Sequence, residues 1–313
     1  MLVQKSTWKI AWCLLTCVCA LGQPAAAQDQ PPAETTAPDI PGVVAGGTKV
    51  QLIKAGFKSV EGPTVAPDGS LLFTDREASQ IWKVDKDGNV SSYMETTNGT
   101  SSITVDSKGR IIAAQRLPPQ VGVVAPTKAV LADKFEGQPF PGAPNDVVAD
   151  KKGGVYFTAG QVFYVKPDGQ VIRISGDIRS PNGVALSMDE KTLYVANTTG
   201  EFVLAFDIQP DGSVRNQRDF ARLEGLRQTD RGPNSGADGL TIDSTGRLYV
   251  VSNAGVEVFS PHGQHLGTIP IPITPHAQNL AFAGPDKKTL YVVGQGAVYK
   301  IQMKAQGFRG RAK

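Results

Sequence analysis

LTIDSTGRLYVV, residues 240–251, reads as a short apolar strand, an acidic turn containing glycine, and a second strand rich in Leu, Tyr and Val. Val, Ile, Tyr and Thr suit a pleated surface, and Asp with Gly punctuates it. The pattern recurs as TVAPDGSLLFTD (64–75), ITVDSKGRIIAA (103–114), VVADKKGGVYFT (147–158), VALSMDEKTLYVAN (184–197) and LAFAGPDKKTLYVV (280–293), six copies in all. A third, alternating strand follows in QIWKVDKDG (80–88), QVFYVKPDG (161–169), VLAFDIQPDG (203–212), GVEVFSPHG (255–263) and AVYKIQ (297–302), most of them closing on hairpin-type turns. Helix-period apolar faces are missing. Self-similarity of this kind marks a repeat architecture. It predicts an all-β fold, a six-bladed β-propeller with four-stranded antiparallel blades, because radial packing buries both faces of every sheet. A β-sandwich has no reason to repeat one turn six times. KVQLIKAGFKSV (49–60) precedes the first copy and would supply the strand that closes the last blade.

The ends of the chain read differently. Lys5 and Lys9 precede an apolar run, Ile10 to Leu21, too short to span a bilayer and followed by Ala25-Ala26-Ala27. This is the pattern of a secretory signal peptide over residues 1–27, implying a secreted or periplasmic protein. Cys13, Cys17 and Cys19 all lie within it, so the remaining chain would carry no disulfide and no thiolate. Residues 28–47, rich in Pro, Ala and Thr, read as a disordered leader. The propeller then covers 48–305, and FRGRAK lies in a basic, solvated tail, 306–313. The two lysines of the signal peptide leave 30 of the 32 basic residues against 29 acidic ones. A net charge near +1 excludes an electrostatic footprint for nucleic acid, and no later stretch reads as a membrane span.

Polar residues recur ahead of the innermost strands. Counting back from the acidic turn of each copy, Ser101, Asn145 and Asp238 lie five residues before Asp106, Asp150 and Asp243, while Glu61, Asn182 and Asn279 lie seven before Asp68, Asp189 and Asp286. Five and seven differ by the strand period of two, so these side chains leave the backbone toward equivalent sides and converge at one mouth of the central tunnel. An alternative is that Asn and Asp before Gly merely build turns, although Glu61 is no turn former. Two carboxylates, Glu61 and Asp238, with two amide oxygens, Asn145 and Asn182, would balance one divalent metal ion. Ca²⁺ matches an all-oxygen cage best. Mn²⁺, Mg²⁺ or Zn²⁺ are alternatives, Zn²⁺ the least suited for want of histidine or thiolate. Ser101, Gln115, Arg116, His276 and Asn279 are candidates for a substrate pocket. No G-x-S-x-G elbow, phosphate loop or H-E-x-x-H is present.

With EGP (61–63), PND (144–146), PNG (181–183) and ADG (237–239) in view, the chain resembles the senescence-marker-protein/gluconolactonase family of six-bladed propellers, which includes regucalcin and luciferin-regenerating enzyme. The resemblance runs from about residue 50 to 303 and is densest over 144–158, 181–214, 237–272 and 279–293. It implies one catalytic divalent metal on the tunnel axis, held by Glu61, Asn145, Asn182 and Asp238. It also implies hydrolysis of a small-molecule lactone or related ester, with Asp238 as general base or nucleophile. Sugar-lactonase members carry an arginine two residues before the xND asparagine, where this chain has Ala143. Gln115 and Arg116 replace a common acidic residue and histidine, and Phe157-Thr158-Ala159-Gly160 replaces the FTDP of many bacterial relatives. The competing readings are a non-catalytic binding propeller with a structural ion, and phosphotriester hydrolysis.

Overall fold

The protein, represented by a computed structural model, is described for residues 35–175 and 177–312. The expected signal peptide and residues 28–34 of the expected leader lie outside the described residues. Six antiparallel sheets follow one another in chain order: blade 1 (60–95), blade 2 (102–132), blade 3 (147–175), blade 4 (181–222), blade 5 (240–269) and blade 6 (279–302). Blades 1 to 5 have four strands each. Blade 6 is completed from the segment that the sequence predicts, 49–60: Lys49–Ala55 pairs antiparallel with Ala297–Gln302, with Gln51 opposite Lys300. Among the described residues there is no α-helix, and none long and apolar enough to cross a membrane.

The innermost strands are Val60–Val65, Ser102–Val105, Val147–Ala149, Pro181–Leu186, Leu240–Ile242 and Asn279–Ala283. Each touches the next, and the sixth touches the first, closing the ring. There is no single core. Six apolar clusters occupy the six seams between adjacent blades. Alternate residues of one strand serve different seams: Leu280 and Phe282 pack toward blade 5, Ala281 and Ala283 toward blade 1. The period of two is therefore present, with both faces apolar, which is why these strands read as continuous hydrophobic runs.

The repeated turn is one structure built six times. The carbonyls of Ala66, Asp106, Asp150, Ser187, Asp243 and Gly284 accept hydrogen bonds from the N–H groups of Gly69, Gly109, Gly153, Glu190, Gly246 and Lys287. All six donors have positive φ, between 51° and 90°. Glycine takes that left-handed position freely in four blades; Glu190 and Lys287 take it in blades 4 and 6. Counted to the residue that opens the turn, the polar positions Glu61, Ser101, Asn145, Asn182, Asp238 and Asn279 all lie five residues upstream. The apparent spacings of five and seven arise because the aspartate opens the turn in blades 2, 3 and 5 and sits two residues further on in blades 1, 4 and 6.

Both expected flexible ends require correction. Within the leader, Thr35–Thr36 adds a fifth strand to blade 6 by pairing with Val50 and Lys49, and Ile40, Val43 and Val44 are buried in the seam between blades 5 and 6. Low periodicity hid three apolar side chains that meet a ready-made apolar surface. The basic tail is likewise packed. Gly307 bridges Asp243, Phe308 N–H donates to Ile242 O, and Ala312 packs at the seams on either side of blade 1. Arg311 is 8% exposed, with Nη1 2.9 Å from a Glu190 carboxylate oxygen and Nη2 donating to Leu186 O at 2.6 Å. Lys287 Nζ donates to Phe308 O and Arg311 O. The two side chains that hold the tail thus belong to the two non-glycine residues with positive φ in the repeated turn. The tail lies across the end of the tunnel where the innermost strands finish.

Candidate active site

At the opposite mouth, where the innermost strands begin, the structure joins three of the residues singled out from sequence. Ser101 Oγ donates to Asn145 Oδ1 at 2.7 Å, Asn145 Nδ2 donates to Asn182 Oδ1, and Asn182 Nδ2 donates to Thr198 Oγ1 at 3.2 Å. Blades 2, 3 and 4 are linked through this run. Glu61 and Asp238 are 5% and 8% exposed, and Asn279 is fully buried.

Glycine brings the remaining blades close. A Cβ on Gly62 would stand 2.2 Å from Ser102 Cα, one on Gly183 2.1 Å from the Asp238 carbonyl oxygen, and one on Gly239 2.1 Å from Asn279 Oδ1. Each of these glycines directly follows an oxygen-bearing residue. Their function is close approach of neighbouring blades; Gly62 and Gly183 lie inside strands at irregularities in the pairing register, between Glu61 and Thr64 and between Pro181 and Val184. Such bulges re-aim side chains at functional sites. The turn-building alternative for NG is therefore replaced by a packing one. Gly183→Ala is expected to cost at least about 2 kcal/mol of stability, since the intruding methyl meets backbone that cannot rotate away. A urea denaturation midpoint equal to that of the parent protein would refute this close approach.

A second layer, unread from sequence, braces the mouth. Thr74, Thr158 and Thr198 donate their hydroxyls to Ser101 O, Asn182 O and Ala237 O of the following blade, at 2.7, 2.7 and 2.8 Å. Asp146, buried beside Asn145, accepts from Ser102 Oγ at 2.6 Å and from Val184 N–H at 2.8 Å, spanning blades 2 to 4. The available signal was a Thr closing the second strand of several copies.

The pocket candidates separate. Gln115 gives its amide to Thr97 O and accepts from Gln120 Nε2, so it braces a loop. Arg116 is half-buried at the end of Ile111–Arg116; burial and then Arg76 push its guanidinium below the usual range, against the pull of Glu61. His276 is partly buried with Nδ1 lacking a hydrogen-bond partner, and burial, helped by Arg227, lowers its pKa and favours the neutral ring. Among the described residues, no group of three or more His, Cys, Asp or Glu is placed to hold a metal ion. A cation here must rely on amide oxygens as well as carboxylates, and the mouth offers both kinds. The donor set of Glu61, Asn145, Asn182 and Asp238 fits a hard divalent ion on chemistry and charge.

A family model described as the SMP-30/Gluconolactonase/LRE-like region matches residues 60–295. Gluconolactonase of Zymomonas mobilis is 26% identical over 307 residues, covering 86% of this chain and 85% of that protein. A pentonolactonase of Haloferax volcanii is 25% identical over 262 residues, covering 80% and 86%. Among solved structures, a gluconolactonase from Xanthomonas campestris superposes with a TM-score of 0.72 at 25% identity, covering 82% of this chain and 90% of that one.

Proposed function

The chain belongs to the SMP-30/gluconolactonase/LRE-like family, and on that basis we propose that it is a lactone hydrolase acting at the mouth where Ser101, Asn145 and Asn182 join. The observation that carries this reading is the hydrogen-bonded run of those three side chains, continued by the contact of Gly183 with Asp238. It supports a cluster of oxygen donors drawn from separate blades, within the region shared with proteins named lactonases.

Glu61, Asn145, Asn182 and Asp238 would hold one divalent cation, Ca²⁺ by preference. When bound, the cation supplies Lewis-acid polarisation of the ring carbonyl and compensates charge gathering on its oxygen. Asp238 takes the proton of the attacking water on one carboxylate oxygen and passes it to the ring oxygen as the acyl C–O bond breaks and the ring opens, a role that contributes about 10²–10⁴-fold to rate. Asn145 and Asn182 orient the group they hold without adding negative charge, and the hydrogen bonds from Ser101 and to Thr198 restrict their rotation. Asp146 and the three threonines keep the blades in register around them.

Stripping divalent metal with a chelator is expected to lower turnover of a lactone panel by at least about 100-fold, with recovery on adding Ca²⁺ or Mn²⁺. A pH-indicator assay alongside elemental analysis checks it. Full activity in protein proved free of metal would overturn the metal-dependent reading.

A further inference from the structure

We propose that the site selects lactones carrying a second, anionic group, a free carboxylate, which Arg116 and Arg76 hold at the rim; this rests on the lactonase reading above. Arg116 ends the second strand of blade 2. Two residues earlier, Ala114 lies opposite Ser102, and its carbonyl accepts the Ser101 N–H at 2.8 Å, so Arg116 stands one step beyond Ser101 at the mouth. Arg76 occupies the matching place in blade 1. Its N–H donates to Ser59 O, and its Nη2 donates to Ser59 Oγ at 2.9 Å, two residues before Glu61. The two arginines therefore stand at corresponding places of blades 1 and 2 at the mouth, Arg76 on the same blade as Glu61 and Arg116 on the next.

Neither arginine has its charge matched by a dedicated carboxylate. Arg116, although half-buried, makes no side-chain hydrogen bond or ion pair with the described residues. The nearest acid of Arg76 is Glu77, 3.9 Å away and largely exposed, a contact of little energetic weight. Arginine cannot shed its proton at physiological pH, so a partly desolvated guanidinium facing another has one remedy, an anion. Glu61 is that anion only while it is not committed elsewhere. Once Glu61 and Asp238 balance a divalent cation, two positive charges at the rim stay uncompensated. Planar guanidiniums bind carboxylates through paired N–H donors, which adds geometric selection to charge. Arg179 and Arg227, anchored on Arg231 O and Asn253 O, extend the positive field on the far side of the same mouth.

The test compares a lactone bearing a free carboxylate with its methyl ester, in the metal-loaded protein and its Arg116→Gln and Arg76→Gln variants. The acid is expected to have a kcat/KM at least about 10-fold above the ester, and Arg116→Gln to remove that preference mainly through KM, with Arg116→Lys restoring part of it. Equal turnover of acid and ester, unchanged by either Gln variant, would overturn the proposal and leave lactonase activity standing. If neither is hydrolysed, the lactonase reading falls, and calorimetry with the ring-opened dicarboxylate decides the rest. Binding weakened about 10-fold or more by Arg116→Gln supports an anion site. Absent or unaltered binding refutes it.

Discussion

Asp238→Asn is expected to lower kcat/KM for lactone hydrolysis by about 10³-fold or more, with thermal stability little changed. The substitution is nearly isosteric and leaves the backbone contacts of the site in place: Asp238 N–H still donates to Val251 O, and its carbonyl still fills the space beside Gly183. What it removes is one of two negative charges and the only carboxylate assigned to proton transfer. Two readouts separate these roles. Loss of rate at saturating metal reports the base, whereas a weakened metal affinity by calorimetry reports the ligand. A variant that keeps more than about a tenth of parental kcat/KM at saturating metal would rule Asp238 out as the base.

Arg311→Ala is expected to destabilise the fold by about 3–5 kcal/mol, the usual result of breaking a buried ion pair from one side. Tm should fall by roughly 10 °C, since each kcal/mol moves a domain of this size by about 2–4 °C. Arg311 is enclosed by Glu190, the Leu186 and Ser187 carbonyls and the Phe308 ring, 5.3 Å from its guanidinium carbon. Its removal takes the guanidinium from Glu190, which already sits at φ 58° and keeps the Lys151 N–H on its other oxygen. A solvated tail would instead give a change within about 0.5 kcal/mol. Calorimetric or urea unfolding distinguishes the two, and specific activity at 25 °C should be preserved because the tail closes the end opposite the candidate site.

The fold was legible because its punctuation is local. Asp and Gly shape a turn within four or five residues, so six copies announce six blades without any tertiary information. The joined run of Ser101, Asn145 and Asn182 was legible for a related reason, since all three stand at one offset from that turn. Yet the uniform offset of five was hidden, because Ala66, Ser187 and Gly284 share no side-chain character with Asp106, Asp150 and Asp243. Seen from sequence, only the aspartates could be counted. The threonine braces and Asp146 escaped for another reason: a hydroxyl or carboxylate that ties one blade to the next depends on partners tens of residues away. The two packed ends were misread because each is held by chemistry with no period. Ile40, Val43 and Val44 need a seam that exists only after blades 5 and 6 assemble, and Arg311 needs Glu190 from blade 4.

The strand Lys49–Ala55 has an implication for biosynthesis. It leaves the ribosome ahead of every blade, and its partner Ala297–Gln302 follows all the other blade strands. Until Ala297–Gln302 is made, the edge of Lys49–Ala55 that it will cover stays unpaired, and the growing arc presents bare strand edges of the kind that recruit neighbouring chains into aggregates. Joining the two strands demands one very long-range encounter, whose entropic cost slows the final step more than it weakens the finished molecule. Newly made chains thus pass through their most vulnerable interval just before the ring closes, when nearly all of the hydrophobic material of the six blades is present and the circle is still open.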